Sequence, residues 1–568
     1  MSPADAVLTG GFTAQDAPAW QRIRRYAVPG WMIEQAGAHR LAGDWRAACA
    51  AAAVDVGFEL PDIEARYGAA VAEAVTEDLR HLAPDLLRWH LPRLLGGRTT
   101  IAVDLRIVLA TYGGPCGPAL SVTTPVLTEG SQRLRLQCAP VDAERNSYTG
   151  RGFAPEDWTS IRPFWDARRA SELGTRFTEP EGLAERIARL RAAGDTVGAF
   201  EAAGITCDLT VPTPQSYQRP ADPEALLAQL PVDLTRLAPE AVRLVAAGAG
   251  DRYRIPVNWR CSLLLEPAGP GALRARVIEP AEAAAVPLLP RYAWQRLPDL
   301  ELVRTGRISP RELHPLVAAA LFPGAGPADG PPGPVAGGPV RVRCRGGWHE
   351  VRSRGGVLDL PHTPEEQQRE RAMRAFGGAV SGCFAVQQSW TTGEGRLPRG
   401  LRAQRHELFL RVQHGDTPGV VALLDAGMDP RIRDARRRGL LHGLHLLDHE
   451  VLLPRLLEAG LDLEARDTSE RTPLLSAVHW GGSADLVRAL LAAGARIDVT
   501  DETELSLSQE IRRYRRTDLT FLRNRVDEEF PDIGADWFDE HMEYREEVEG
   551  EDDEDDGDED DGDEDDDA

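Results

Sequence analysis

One phrase that returns three times limits what this chain can fold into more than any other feature. Leu-Leu-Asp-Ala-Gly at 423 to 427, Leu-Leu-Glu-Ala-Gly at 456 to 460 and Leu-Leu-Ala-Ala-Gly at 490 to 494 place Gly427, Gly460 and Gly494 at intervals of 33 and 34 residues. Asp434, Asp467 and Asp501 keep the same two intervals. A period of this length marks one small helical unit per repeat, too small to bury its own apolar stripe. Leu423, Leu424, Leu456, Leu457, Leu490 and Leu491 therefore need the next unit to cover them. Each Gly ends a helix, where the left-handed conformation is cheap only without a Cβ.

The third unit opens Arg-Thr-Pro-Leu-Leu-Ser-Ala at 471 to 477. Thr472 can cap a helix there, and Pro473 falls in the first turn, where no N–H is needed. The second unit has Gly439-Leu440-Leu441-His442 at this place and the first has His406-Glu407-Leu408-Phe409. The third carries an extra residue in Gly481-Gly482-Ser483, and a fourth begins at Thr503 and dissolves into Arg512, Arg513, Arg515 and Arg516. On these residues the stretch 401–526, roughly a fifth of the chain, resembles the ankyrin-repeat family, of the kind found in high-GC bacteria. The resemblance implies an all-α stack of about four repeats, the last a degenerate cap, with a concave face for a protein partner. Carried over by register, that face holds Gln413 and His414, then Leu446 and Leu447, then His479 and Trp480. Arg436, Arg437, Arg438 and Glu470 flank it at the turn tips, and Trp480 is the residue type most suited to a binding hot spot.

Composition removes several kinds of chemistry. All 65 basic residues are arginine, which fits a high-GC genome and leaves no lysine for a phosphate-loop clamp, a Schiff base or a kinase-type ATP contact. The formal charge of −24 is mostly local, because 18 acidic residues follow Arg545 and only −6 belongs to the rest. The tail 546–568 has too much charge and too little apolar surface to fold, so it is expected to be disordered. Seven cysteines without any Cys-x-x-Cys read as reduced thiols, and neither a signal peptide nor a membrane-spanning run is visible. These features predict a cytoplasmic protein.

A length of 568 residues calls for several domains. After a loose leader, 1–17, the text of a first module, 18–175, returns in a second, 180–322. Arg40-Leu-Ala-Gly-Asp44 answers Arg191-Ala-Ala-Gly-Asp195, and Asp78-Leu79 with Leu82-Ala83-Pro84 answers Asp233-Leu234 with Leu237-Ala238-Pro239. Four such matches in one order, Thr149-Gly150-Arg151 with Thr305-Gly306-Arg307 among them, point to an internal duplication of an α+β module. A Pro/Gly linker, 323–339, follows. Residues 340–400 read as a hairpin and helix connector, with Val340, Val342 and Cys344 alternating against Arg341, Arg343 and Arg345. Thr363-Pro364-Glu365-Glu366 has the pattern of a capping box. The expected fold class is α+β and multidomain: two duplicated α+β modules, an all-α ankyrin-type stack and a disordered acidic tail.

Candidate sites are sparse. His442, His445, Asp448 and His449 have helical spacing for one metal-binding face, yet His442 falls where the resembling family uses a histidine to bond the neighbouring turn. Cys116 sits in a glycine-rich loop with no histidine in sight, and His81 and His90 are interspersed with leucines. The arginine clusters at 436–438 and 512–516 lack interleaved aromatics. The sequence thus predicts no catalytic residue, no metal and no cofactor. It predicts a non-catalytic adaptor for a protein partner, with no nucleic acid and no membrane contact, and leaves the oligomeric state open. The alternative is an enzyme with its site in the duplicated modules, the repeats recruiting its substrate protein.

Overall fold

The structure is a computed structural model that describes residues 16–114, 117–141, 153–177, 182–210, 222–230, 232–248, 250–258, 261–269, 271–377 and 380–540. The acidic tail 546–568, nearly all of the leader, Cys116 and Thr149-Gly150-Arg151 lie outside the described residues. The chain divides into two compact units. The first comprises 1–128 and 132–333, and the second 129–131 and 334–568.

The first unit contains both of the matching segments, 18–175 and 180–322, except for 129–131, in one body. In the first segment the helices Gly30–Leu41 and Trp45–Ala51 lead into strand β1, Val54–Val56. Asp44 starts the second helix by accepting from the Ala47 N–H at 2.9 Å. Three helices later come β2 (Leu105–Thr111), β3 (Ala119–Thr123), β4 (Leu134–Ala139) and β5 (Ala154–Asp157), in the sheet order β1-β4-β3-β2-β5. The second segment has helices Leu183–Ala192 and Thr196–Ala202, with Asp195 accepting from the Gly198 N–H at 2.8 Å. Its strands β6 (Ile205–Asp208), β7 (Tyr253–Asn258), β8 (Cys261–Gly269) and β9 (Ala272–Ile278) take the order β6-β9-β8-β7. In both sheets a short first strand runs parallel to the last strand of an antiparallel meander: Val54 pairs with Leu134, and Ile205 with Leu273. One apolar core joins the segments, reaching from Leu86 and Trp165 to Leu263 and Trp294.

The second unit is not the all-α stack expected of the C-terminal part. It opens with a three-stranded antiparallel sheet of β10 (Val340–Cys344), β11 (Gly347–Arg354) and β12 (Val357–Asp359). Two-residue turns join the strands, Arg345-Gly346 and Gly355-Gly356, and all four of these residues have positive φ, which matches the right-handed twist of a tight hairpin. The sheet is no detached connector. Val342, Val351 and Leu358 on its inner face share one core with Leu401, Leu408 and Leu423 of the helices that follow. A polar outer face alternates with this buried one, so the sheet is stable only where the helices cover it. The unit is therefore mixed α/β, and the fold class is corrected accordingly.

Beyond the sheet, helices recur in pairs. Thr417–Asp425, His449–Glu458 and Ala484–Ala492 end before Gly427, Gly460 and Gly494, all with positive φ. Asp434, Asp467 and Asp501 organise the turns between pairs. Each carboxylate accepts two backbone N–H groups: Arg436 and Arg438 at 2.8 and 2.9 Å, Ser469 and Arg471 at 2.8 and 3.0 Å, Thr503 and Leu505 at 2.9 and 3.2 Å. The turn residues Arg437, Glu470 and Glu504 pay for this closure with φ of 59, 57 and 66°. Within the pair that ends in His449–Glu458, the first helix winds as a 3-10 helix, Leu440–Leu446.

Candidate metal centre

The inner face of the second unit's sheet carries more than apolar side chains. Cys344 ends β10 and lies across from Gly347, while Val342 lies across from His349, so the pleat puts Cys344 and His349 on the same face. His362 follows β12, immediately before the helix Pro364–Ala375. Its position is held by the capping box: Thr363 accepts from the Glu366 N–H at 3.3 Å, and Glu366 accepts from the Thr363 N–H at 3.1 Å. Cys383 comes from the first turn of Gly382–Thr392, a helix packed on β10.

These four side chains converge. Their donor atoms all lie within 4.8 Å of one another. Nδ1 of His349 is 3.2 Å from Nε2 of His362, Sγ of Cys383 is 3.6 Å from Nδ1 of His349, and Sγ of Cys344 is 3.7 Å from Nε2 of His362. A zinc ion bonds sulfur at about 2.3 Å and nitrogen at about 2.0–2.1 Å, so a tetrahedron around it has N···N edges of about 3.3 Å and N···S edges of about 3.5 Å. The observed separations match those edges to within a few tenths of an ångström. A shared hydrogen bond would bring only one pair together; a common central atom accounts for all three of these separations.

The surroundings suit such a centre. Cys383 and Cys344 are buried, and the His362 side chain is only 3% exposed. Glu366 places a carboxylate oxygen 3.4 Å from the other nitrogen of His362, the partner that fixes the tautomer of a ligating histidine. Phe384 lies against the same ring at 4.6 Å and closes one side. Burial, with Cys344 alongside, pushes the Cys383 thiol up to about 12, so without a cation the sulfur keeps its proton. Gly382 makes the approach possible: with φ of 62°, a Cβ there would stand 2.5 Å from Sγ of Cys344.

Sequence spacing does not single these residues out. They are 5, 13 and 21 residues apart and come from separate elements, with no Cys-x-x-Cys to announce them. The usable signal was the Cys344–His349 pair astride a tight turn. Three of the histidines that sequence did put forward, His442, His445 and His81, have other partners. Nε2 of His442 donates to the Arg471 carbonyl at 3.2 Å while its Nδ1 accepts from the Gly439 N–H at 3.2 Å. Burial pushes His442 down to about 4. His445 is likewise pushed down to about 4 by burial, and Asp448 caps the helix His449–Glu458 through the Glu450 N–H at 3.0 Å. His81 lies 3.2 Å from Glu77.

The partner-face residues are placed unevenly. His414, Leu447 and His479 are buried, and Gln413, Leu446 and Trp480 half-buried. His479 bonds Glu510 at 2.9 Å, and Trp480 lies edge-on to it at 4.6 Å. At the turn tips Arg437 pairs with Glu470 at 2.8 Å. Arg436 and Arg438 both pair with Glu129, a residue of the same unit, at 3.0 and 2.9 Å. Arg436 is the most open of the ten. No family model matches the chain. Among the described residues no helix is long and apolar enough to cross a membrane.

Proposed function

We propose that the second unit is a zinc-stabilised, non-catalytic protein-binding module. The observation that carries this reading is the convergence of Cys344, His349, His362 and Cys383, whose donor atoms lie within 4.8 Å of one another, with one N···N and two N···S separations at tetrahedral edge lengths. Two thiolates and two imidazoles are the donor set that suits zinc, whereas calcium and magnesium want oxygen. All four positions are supplied by the protein. A catalytic zinc keeps one position for water, so a closed set supports a structural role: the ion pins the β10–β12 sheet to the helix Gly382–Thr392.

The full chain, purified without added metal, is expected to contain about one zinc per chain by elemental analysis. Cobalt exchanged into the site should give thiolate charge-transfer bands and the strong visible absorption of a tetrahedral ion. Uptake should release protons, because the Cys383 thiol must ionise to bind. Cys344→Ser and Cys383→Ser should each lose the metal. A wild-type chain that keeps no zinc after supply and gel filtration would overturn the reading, as would serine variants that retain it in full.

The binding half of the proposal is supported by the turns at Asp434, Asp467 and Asp501, which stack in register: the Thr468 N–H donates to Arg436 and the Glu502 N–H to Ser469, both at 2.9 Å. Their tips and the half-buried Trp480 leave a surface for a protein. Trp480→Ala is expected to weaken a stoichiometric partner by about 2 kcal/mol or more, roughly 30-fold, while the chain stays folded. Titration calorimetry against a partner co-purified from the source cells would measure it. Unchanged affinity would remove Trp480 from recognition, and the absence of any stoichiometric partner would remove the binding role.

A further inference from the structure

The first unit holds a cavity of about 80 Å³ whose charges do not balance. Arg24, His90, Arg93, Trp158, Phe164 and Arg291 are among the residues lining it. Most of the cations there are matched. Arg24 meets both oxygens of Asp299 at 2.8 and 2.7 Å, Arg296 meets Glu301 at 2.9 Å, and Arg291 lies 3.4 Å from Glu156.

Arg93 is the exception. It is 7% exposed, and its one hydrogen bond is from Nη2 to the Arg88 carbonyl at 2.7 Å. Its Nε and Nη1 are buried without a partner, and no carboxylate among the described residues pairs with it. Arg88, whose carbonyl takes that bond, is 2% exposed and also lacks an acid among the described residues, with Nη1 unpartnered. His90, stacked on Phe164 at 4.1 Å and 8°, has both ring nitrogens buried and unpartnered. Burial and the neighbouring Arg24 hold this imidazole neutral, so it has one N–H to donate.

A buried guanidinium without a counter-charge is among the costliest arrangements a fold can carry. Here two stand together beside an unused imidazole donor and open space. We infer that this cavity is a binding site for a small oxyanion, an inorganic phosphate or a short carboxylate, held by Arg93 and His90 against the aromatic wall of Phe164 and Trp158. Size agrees: a volume of 80 Å³ accommodates on the order of five water-sized groups, the heavy-atom count of phosphate. Charge-assisted bonds from Arg93, with the field of Arg88 added, supply the affinity and exclude cations. The sequence contained no hint of this, because His90 read there only as a histidine interspersed with leucines.

The test uses the full chain at low ionic strength, with inorganic phosphate and acetate as separate probes in calorimetry and thermal unfolding. At least one should bind saturably and raise the unfolding temperature, phosphate alone indicating a phosphate ligand and acetate alone a carboxylate. Arg93→Met should remove that response by at least about tenfold in affinity yet leave the anion-free protein as stable as the parent or more so, since it deletes an unpaired buried charge. His90→Phe, which keeps the stack, should weaken binding to a smaller degree. No binding of either probe up to roughly 10 mM would overturn the inference. So would an undiminished response in Arg93→Met.

Discussion

Gly382→Ala is expected to cost the second unit about 2–5 kcal/mol and, with it, the metal. Two effects add. An L-residue at φ of 62° carries a strain of about 1–2 kcal/mol, and the new Cβ would sit 2.5 Å from Sγ of Cys344, where overpacking costs about 1–3 kcal/mol more. The clash falls on a metal-facing sulfur, so the chain relieves it by moving Cys344 or the helix start, and either movement breaks the tetrahedron. Gly460→Ala is the control. That glycine has φ of 76° in the same unit, but nothing lies within 4 Å of its missing Cβ. It should cost only the strain and keep its zinc. Urea unfolding with metal analysis on both variants would check this, and a Gly382→Ala protein with full zinc content would contradict it.

Asp299→Ala is expected to destabilise the first unit by about 3–5 kcal/mol, the usual cost of stranding one member of a buried ion pair. Asp299 is fully buried and holds three donors, two from Arg24 and the Trp89 indole N–H at 3.1 Å. Its removal leaves a guanidinium that is itself 3% exposed between the indole rings of Trp20 and Trp89. The double variant Arg24→Met with Asp299→Leu should recover most of the loss, because an apolar pair of similar volume carries no desolvation penalty. Tryptophan fluorescence during urea unfolding would report both. A single variant within about 1 kcal/mol of the parent would mean that Arg24 has found another partner or water.

Several local features were legible in the chain. Alternation at 340 to 344 announced a strand and Val340–Cys344 is one; Thr363 and Glu366 make the reciprocal bonds that their spacing suggested. The recurrent Gly and Asp positions close helices and turns at their expected intervals. These features depend on groups within a few residues of one another, so the order of residue types suffices to specify them.

What tertiary structure alone decided involves groups brought together across long separations. Residues 340–400 looked like a connector because the hairpin's inward side chains show no partner in sequence; only packing reveals that they share a core with the helices and make the unit mixed rather than all-α. The metal centre depends on the pairing register of β10 with β11, since a slip by one residue would turn His349 to the outer face and leave three ligands. It depends equally on a helix start brought within van der Waals distance of Cys344 by a residue without a side chain. The cavity around Arg93 follows the same rule. A guanidinium's missing counter-charge cannot be read from residue order, because it is a property of everything that the fold places around it. Order by itself determined the repeat period, the caps and the exclusion of lysine chemistry, while proximity in space decided where two thiols, two imidazoles and an unpaired cation would meet their ligands.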